Sequence, residues 1–98
     1  MIFKIPEKEI QENIIVFMKR AGYSCLGQTD NGLSFVRCLN RERYPRFHII
    51  IREDKGKQVV FDIHLDQKKT VYRNSKAHSA DYNGFHLENE AQRIQQLI

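Results

Sequence analysis

The stretch RFHIIIREDKGKQVVFDIHLD, residues 46–66, decides the fold, because two runs of alternating apolar side chains flank a short polar turn. Asp54, Lys55 and Gly56 suit a three-residue hairpin loop with the glycine in the left-handed conformation. In that register three apolar pairs point to one face: Ile51 with Val59, Ile49 with Phe61, and Phe47 with Ile63. The stretch therefore predicts an antiparallel β-hairpin with one face in the core.

The opposite face of this hairpin is mostly polar. The same register pairs Arg52 with Gln58, Ile50 with Val60, His48 with Asp62, and Arg46 with His64. We expect His48 and Asp62 to form a charge-assisted pair worth about 0.2–1 kcal/mol. Ile50 and Val60 are an apolar pair on this face, which is either covered by a later segment or forms a contact with a partner protein or a second copy, as in a homodimer.

A second hairpin is predicted upstream, in YSCLGQTDNGLSFVRCLN, residues 23–40, because Asn and Gly tolerate the backbone of a tight turn. Two registers remain open: Cys25 faces Cys38 if the loop is Asn31–Gly32, and Leu26 faces Val36 if the loop is 30–32. The cysteines form no C-x-x-C pair, which disfavours zinc. We interpret them as small buried hydrophobic residues rather than a redox or metal pair.

Helices are predicted on both sides of these strands. The first has Pro6 in its first turn and Gly22 at its end, with an apolar stripe at Ile10, Ile14, Phe17, Met18 and Ala21. The second runs roughly from Leu87 to Leu97, with Leu87, Ala91, Ile94 and Leu97 or Ile98 on one side. Residues 67–84 show neither period and predict a long loop.

Together these elements predict a single α+β domain over residues 1–98. Its order is an N-terminal helix, a four-stranded antiparallel sheet made of two hairpins, a long loop and a C-terminal helix. Short connections favour both helices on one face of the sheet. No apolar run approaches the roughly 18 residues of a membrane span, and the start turns acidic where a signal peptide is apolar. We therefore expect a cytoplasmic protein with no membrane contact.

Positive charge is concentrated in two segments of a chain whose net charge is +4. Residues 37–46 contain four arginines against one glutamate, and residues 67–80 contain four cations and no acid. Tyrosine rings near these cations offer surfaces on which bases stack. The pattern predicts a module that binds single-stranded nucleic acid or another phosphate-bearing partner. Its candidate contacts are Arg46, Lys68, Lys69, Tyr72, Arg73, Lys76 and Tyr82.

An alternative function rests on the histidines of residues 61–86. His64 and Asp66 are two apart on a strand, so their side chains leave one face about 6.6 Å apart. Imidazole and carboxylate groups can converge on a divalent metal or perform acid–base chemistry. His78 is the third candidate, provided that the predicted loop folds back over the sheet. Apart from such a metal we expect no cofactor, and the residues do not decide whether the protein is an enzyme.

Overall fold

Five strands and two helices make up the structure, a computed structural model that describes residues 1–67 and 76–98, with side chains for 1–67 and 84–98. The strands are β1 (Ile2–Pro6), β2 (Ser24–Thr29), β3 (Gly32–Cys38), β4 (Arg46–Asp54) and β5 (Gln58–Asp66). The helices are α1 (Ile14–Arg20) and α2 (Lys76–Gln96), and Glu7–Glu9 form a 3₁₀ turn. All neighbouring strands are antiparallel, in the order β1-β5-β4-β3-β2.

One face of the sheet packs against both helices, as predicted. Its inward side chains on β4 and β5 include the six of the predicted apolar set, all buried: Phe47, Ile49, Ile51, Val59, Phe61 and Ile63. Phe17 and Met18 of α1 and Ile94 of α2 belong to the same buried cluster. Alternation along the strands and helical spacing along the helices therefore assigned the core side correctly.

The predicted four-stranded sheet is wrong by one strand, because β1 adds a fifth at the edge. β1 pairs with β5, and the ring of Phe3 stacks on that of Phe61 with centroids 4.8 Å apart. Ile5 is buried in the core. Pro6 ends this strand, where its missing N–H costs the sheet nothing. The prediction of Pro6 in the first turn of a helix is therefore wrong, and residues 2–5 were assigned no structure because so short a segment gives a weak strand signal.

The N-terminal helix is shorter than predicted, since α1 begins only at Ile14. Asn13 caps it: its Oδ1 accepts a hydrogen bond from the amide of Ile15 at 2.8 Å. The predicted stripe does face the core, with Phe17 and Met18 buried. The predicted end is confirmed, because Gly22 has φ +98° directly after the helix.

The β4–β5 hairpin is shifted by two residues from the predicted register. Ile51 faces Phe61, and the loop is Lys55–Lys57 with Lys57 at φ +64°. Asp54 supports this loop, because its carbonyl oxygen accepts from the Lys57 amide at 3.0 Å and its Oδ1 accepts from the Gly56 amide at 3.3 Å. A shift of two preserves both faces, so the apolar pattern could not distinguish the two registers.

The β2–β3 hairpin adopts neither of the two registers left open. Thr29 faces Gly32 across a two-residue loop, Asp30–Asn31. The Thr29 hydroxyl donates to the Gly32 carbonyl oxygen at 2.7 Å and accepts from the Asn31 amide at 3.1 Å. Gly32 has φ +136°, and a Cβ there would collide with the carbonyl of Ile51. Side-chain capping by Thr29 and this close approach therefore set the turn.

The cysteines are apart and exposed, so their interpretation as buried residues is wrong. Cys25 faces Phe35 beside a bulge in edge strand β2, and Cys38 faces Arg46. A bulge and an edge position leave side chains uncovered that sequence alternation alone would place inside.

Helix α2 begins at Lys76 rather than near Leu87, which corrects part of the predicted long loop. Residues 76–84 are helical, and residues 68–75 lie outside the described part of the chain. The predicted core side of the helix is confirmed, with Ala91 and Ile94 buried and with Leu87 and Leu97 packed against the core. The first half of α2 was not predicted because residues 76–86 are mostly polar and give no helical period.

Candidate functional site on the outer face of the sheet

The face of the sheet opposite the helices is called the outer face here. Strand alternation places on it every second residue of the three central strands. The side chains are those of Ser34, Val36 and Cys38 of β3, Arg46, His48, Ile50, Arg52 and Asp54 of β4, and Gln58, Val60, Asp62, His64 and Asp66 of β5. His48 and His64 therefore lie on the same face of the sheet, as the hairpin pattern predicted.

Three side chains from adjacent strands form a row on the outer face. Ser34 Oγ lies 2.7 Å from His48 Nε2, and His48 Nδ1 lies 3.4 Å from Asp66 Oδ2. In the tautomer protonated at Nδ1, the imidazole turns its N–H toward the carboxylate and its Nε2 accepts from the serine hydroxyl. A hydroxyl, an imidazole and a carboxylate thus lie in succession across three adjacent strands.

Arg46 holds the carboxylate end of this row. Its Nε lies 3.4 Å from Asp66 Oδ2, and its guanidinium lies 4.7 Å from the centroid of the Tyr44 ring. The arginine side chain is 19% exposed and that of Asp66 is 31% exposed. Asp66 therefore has contacts from both His48 and Arg46 on β4, the strand next to its own.

The predicted ion pair of His48 with Asp62 is not formed, because the register differs by two residues. Ile50 occupies the position opposite Asp62, and His48 stands opposite His64 with ring centroids 6.3 Å apart. His48 instead contacts Asp66, which lies diagonally across the strand pair. The prediction that His48 contacts an aspartate is correct, but the aspartate is Asp66 and not Asp62.

The predicted metal ligands on β5 have different partners. His64 turns its Nε2 toward Asp62 Oδ1 at 3.3 Å, while Asp66 faces Arg46 and His48. Within the described residues, no group of three histidine, cysteine or acidic side chains is placed to hold a metal ion. His78 lies in α2, but its side chain is outside the described part, so the site of His64, Asp66 and His78 stays a prediction.

The charges of the outer face nearly balance. Lys4 of β1 pairs with Asp54 at 3.2 Å, and the pairs of Arg46 and His64 account for the carboxylates of Asp66 and Asp62. A surface whose cations are neutralised by neighbouring carboxylates attracts phosphate weakly. Arg52 is exposed on this face without an ion pair among the described residues, so a phosphate-binding surface with several unpaired cations requires cations from elsewhere in the chain.

The connection between β3 and β4, residues 39–45, is called the arginine link and supplies such cations. Arg41 and Arg43 are exposed, and neither forms an ion pair with any residue the structure describes. Two contacts close the link: the Leu39 amide donates to the Pro45 carbonyl oxygen at 3.2 Å, and the Cys38 thiol donates to the Arg43 carbonyl oxygen at 3.6 Å. It is a cationic loop at one end of the sheet.

Most of the predicted nucleic-acid contacts cannot be placed. Arg46 lies on the outer face beside Asp66. Lys68, Lys69, Tyr72 and Arg73 are outside the described residues, and Lys76 and Tyr82 lie in α2 with side chains that are not described. What can be placed is the start of their segment: β5 ends at Asp66, opposite Arg46, so both basic segments adjoin the same end of the sheet.

The apolar pair predicted on the outer face is not a direct cross-strand pair. Ile50 faces Asp62, and Val60 faces Arg52. Ile50 is half-buried, whereas Val60 is only 3% exposed. The predicted protein–protein contact through this pair stays a prediction, with less accessible apolar surface than two exposed side chains would offer.

A buried polar cluster on the helix side of the sheet was not predicted. Glu90 of α2 is 4% exposed and accepts a hydrogen bond from the Tyr23 hydroxyl at 2.6 Å. Arg93 donates to it at 2.8 and 2.9 Å and also to the Ala21 carbonyl oxygen at 2.6 Å. Arg37 of β3 approaches it at 3.4 Å. The sequence signal was Glu90 beside the core residue Ala91, one turn before Ile94.

Burial governs the ionisation of this cluster. Burial raises the pKa of Tyr23 far above its usual value, and the hydrogen bond to Glu90 raises it further. The hydrogen bond from Arg93 to Glu90 raises the pKa of the guanidinium. Tyr23 therefore remains a neutral donor and Arg93 a cation, and the cluster joins α2 to the segment between α1 and β2.

No protein-family model, curated protein or solved structure matches this chain. Among the residues that the structure describes, no helix is both long and apolar enough to cross a membrane. The function must accordingly be argued from the side chains themselves.

Proposed function

We propose that this protein binds single-stranded nucleic acid through the end of the sheet that carries the arginine link. The observation behind the proposal is that Arg41 and Arg43 are exposed without an ion-pair partner in the described residues. When unpaired cations of a protein contact phosphates, they displace the counterions condensed on the nucleic acid. This counterion release supplies most of the non-specific binding affinity. Guanidinium groups also match the geometry of phosphate oxygens in bidentate hydrogen bonds.

Aromatic and cationic groups occur together at this end. Tyr44 belongs to the link, and Arg46 lies over its ring. An aromatic side chain beside cations is the combination that stacks bases while the cations contact the backbone. The predicted contacts in the segment after Asp66 (Lys68, Lys69, Tyr72, Arg73, Lys76 and Tyr82) would extend this surface, and they enter the proposal on sequence alone.

The test is binding of fluorescently labelled single-stranded RNA and DNA, measured by anisotropy at several salt concentrations. We expect the double variant Arg41→Gln, Arg43→Gln to bind more weakly at every concentration. Its slope of log affinity against log salt should fall by about 1.4, because each lost phosphate contact on a single strand removes about 0.7. Replacing Lys68, Lys69 and Arg73 with Ala should weaken binding further.

A matched control is available at the other end of strand β4, in the loop that joins it to β5. The double variant Lys55→Gln, Lys57→Gln removes two exposed cations from the β4–β5 loop. Its salt slope should equal that of the unmodified protein. Equal losses in both double variants would show attraction by net charge alone, and no binding at low salt would rule the proposal out.

A further inference from the structure

We propose that Ser34 is a nucleophile for small acyl esters, with His48 as its general base and Asp66 as the group that positions the imidazole. The carrying observation is the row across β3, β4 and β5, in which Ser34 Oγ lies 2.7 Å from His48 Nε2 and His48 Nδ1 lies 3.4 Å from Asp66 Oδ2. This is an activity beyond nucleic-acid binding and does not depend on it.

The sequence of hydroxyl, imidazole and carboxylate along this row is the arrangement that can activate the serine as a nucleophile. Asp66 Oδ2 lies 3.4 Å from Nδ1 and favours the tautomer protonated at that nitrogen, in which the Nε2 lone pair faces the serine hydroxyl. A base within hydrogen-bond reach of the hydroxyl, itself oriented by a third group, is the arrangement that activates serine nucleophiles on unrelated folds. Each of the three side chains stands on its own strand, so the sheet ladder fixes their spacing.

Access to the row is from the outer face. The imidazole of His48 is 25% exposed and the carboxylate side chain of Asp66 is 31% exposed. Ser34 is only 4% exposed. A hydroxyl with so little free surface can reach a short acyl group more readily than a branched one, which sets the expected substrate class as small, unbranched esters.

The reaction proceeds in two balanced steps. The oxygen of Ser34 forms a bond to the acyl carbon as its proton passes to His48 Nε2, and the alcohol of the ester leaves with that proton. Water then attacks the acyl-serine, gives one proton to His48, and releases the acid as the serine oxygen recovers a proton. The amides of β3 and β4 are engaged in the sheet, and Arg46 beside Asp66 is a charged donor at one end of the row.

The primary experiment is covalent labelling with a small fluorophosphonate. The Ser34 oxygen would bond to phosphorus, fluoride would leave, and the hydroxyl proton would pass to His48. Intact mass followed by peptide mapping of the unmodified protein should place the adduct on Ser34. The second measurement is p-nitrophenyl acetate hydrolysis, with an acetyl group on Ser34 as the expected intermediate.

The variants separate activation from ordinary surface reactivity. Ser34→Ala should abolish labelling, and His48→Gln and Asp66→Asn should each lower its rate about 100-fold or more. Ser24→Ala is the matched control, because Ser24 is an exposed serine on the neighbouring strand β2. It should label at the rate of the unmodified protein. Circular dichroism and thermal melting establish that each variant is folded.

Three outcomes would overturn the proposal. The first is the absence of any label on the folded, unmodified protein. This result can be interpreted without a variant. The second is an adduct mapped to any residue other than Ser34. The third is ester hydrolysis that His64→Gln removes and His48→Gln leaves intact, since an exposed imidazole would then be the reactive group.

Discussion

Two polar clusters lie on opposite faces of the same sheet, and they differ in how tightly they are held. The buried cluster of Tyr23, Glu90 and Arg93 has hydrogen bonds of 2.6–2.9 Å. The row of Ser34, His48 and Asp66 on the outer face combines one contact of 2.7 Å with one of 3.4 Å. Both clusters contain a carboxylate, but only Glu90 is removed from water.

The difference shows what burial demands of polar groups. A carboxylate taken out of water must have its charge and lone pairs satisfied, or folding would lose several kcal/mol. Glu90 therefore has one tyrosine and two arginines around it. His48 and Asp66 on the outer face are partly exposed and can also hydrogen-bond with water, whereas Ser34 is as buried as Glu90. Variants on the two faces should accordingly behave differently.

The largest effect on stability is expected for Arg93→Met. It removes two short hydrogen bonds from buried Glu90 and leaves the carboxylate with Tyr23 and the more distant Arg37. The free energy of unfolding should fall by about 3 kcal/mol, at the low end for a broken buried pair because two partners remain. Urea denaturation measures the loss.

The control for this prediction is Arg52→Met on the outer face. Arg52 is exposed and has no ion pair with the residues the structure describes. Its free energy of unfolding should change by less than about 0.5 kcal/mol. Similar losses for Arg93 and Arg52 would contradict the distinction between the two clusters.

An intermediate effect is expected for Tyr23→Phe, at about 1.5 kcal/mol near neutral pH, because a hydrogen bond to a carboxylate is lost. The same variant tests the ionisation of the tyrosine. The pKa of Tyr23 is raised in the folded protein by burial and by Glu90. The unfolded chain therefore releases this proton near pH 10, while the folded protein keeps it.

The sign of the pH dependence follows. The contribution of Tyr23 is complete below about pH 10 and is lost as the pH rises above that value, at up to about 1.4 kcal/mol per pH unit. The difference in unfolding free energy between the unmodified protein and Tyr23→Phe should shrink over that range. Parallel stability curves from pH 8 to pH 11 would show that Tyr23 ionises as readily folded as unfolded.

The smallest effect on stability is expected for Asp66→Asn. Its contacts with His48 and Arg46 are 3.4 Å long and partly exposed, so the loss should stay below about 1 kcal/mol. Urea denaturation measures this value on the same protein used for labelling. A loss as large as that of Arg93→Met would mean that the outer-face row serves stability, as the buried cluster does.

The fold was predictable where one residue period dominated. Alternation in residues 46–66 assigned both faces of β4 and β5, and helical spacing assigned the core sides of α1 and the second half of α2. Strand β1 and the first half of α2 were missed because one segment is too short and the other too polar to show a period. The structure of these segments depends on the sheet and core they join.

The candidate site was predictable in its residue types and not in its partners. His48, His64 and Asp66 share the outer face as expected, but a register shift of two residues replaced Asp62 by Asp66 beside His48. Ser34 was missed as a site residue because its contact with His48 depends on how β3 pairs with β4 across the arginine link. No pattern within either strand specifies that pairing.

The sequence by itself determined which side chains face the core and which face outward, because the periods of strands and helices are local properties of the chain. Only the tertiary structure decided which outward side chains meet. Faces survive a shift of two residues, whereas contacts between particular atoms do not. Turn hydrogen bonds at Asp54 and Thr29 selected the hairpin registers, and the packing of the strands and helices brought Ser34 to His48 and Glu90 to Tyr23.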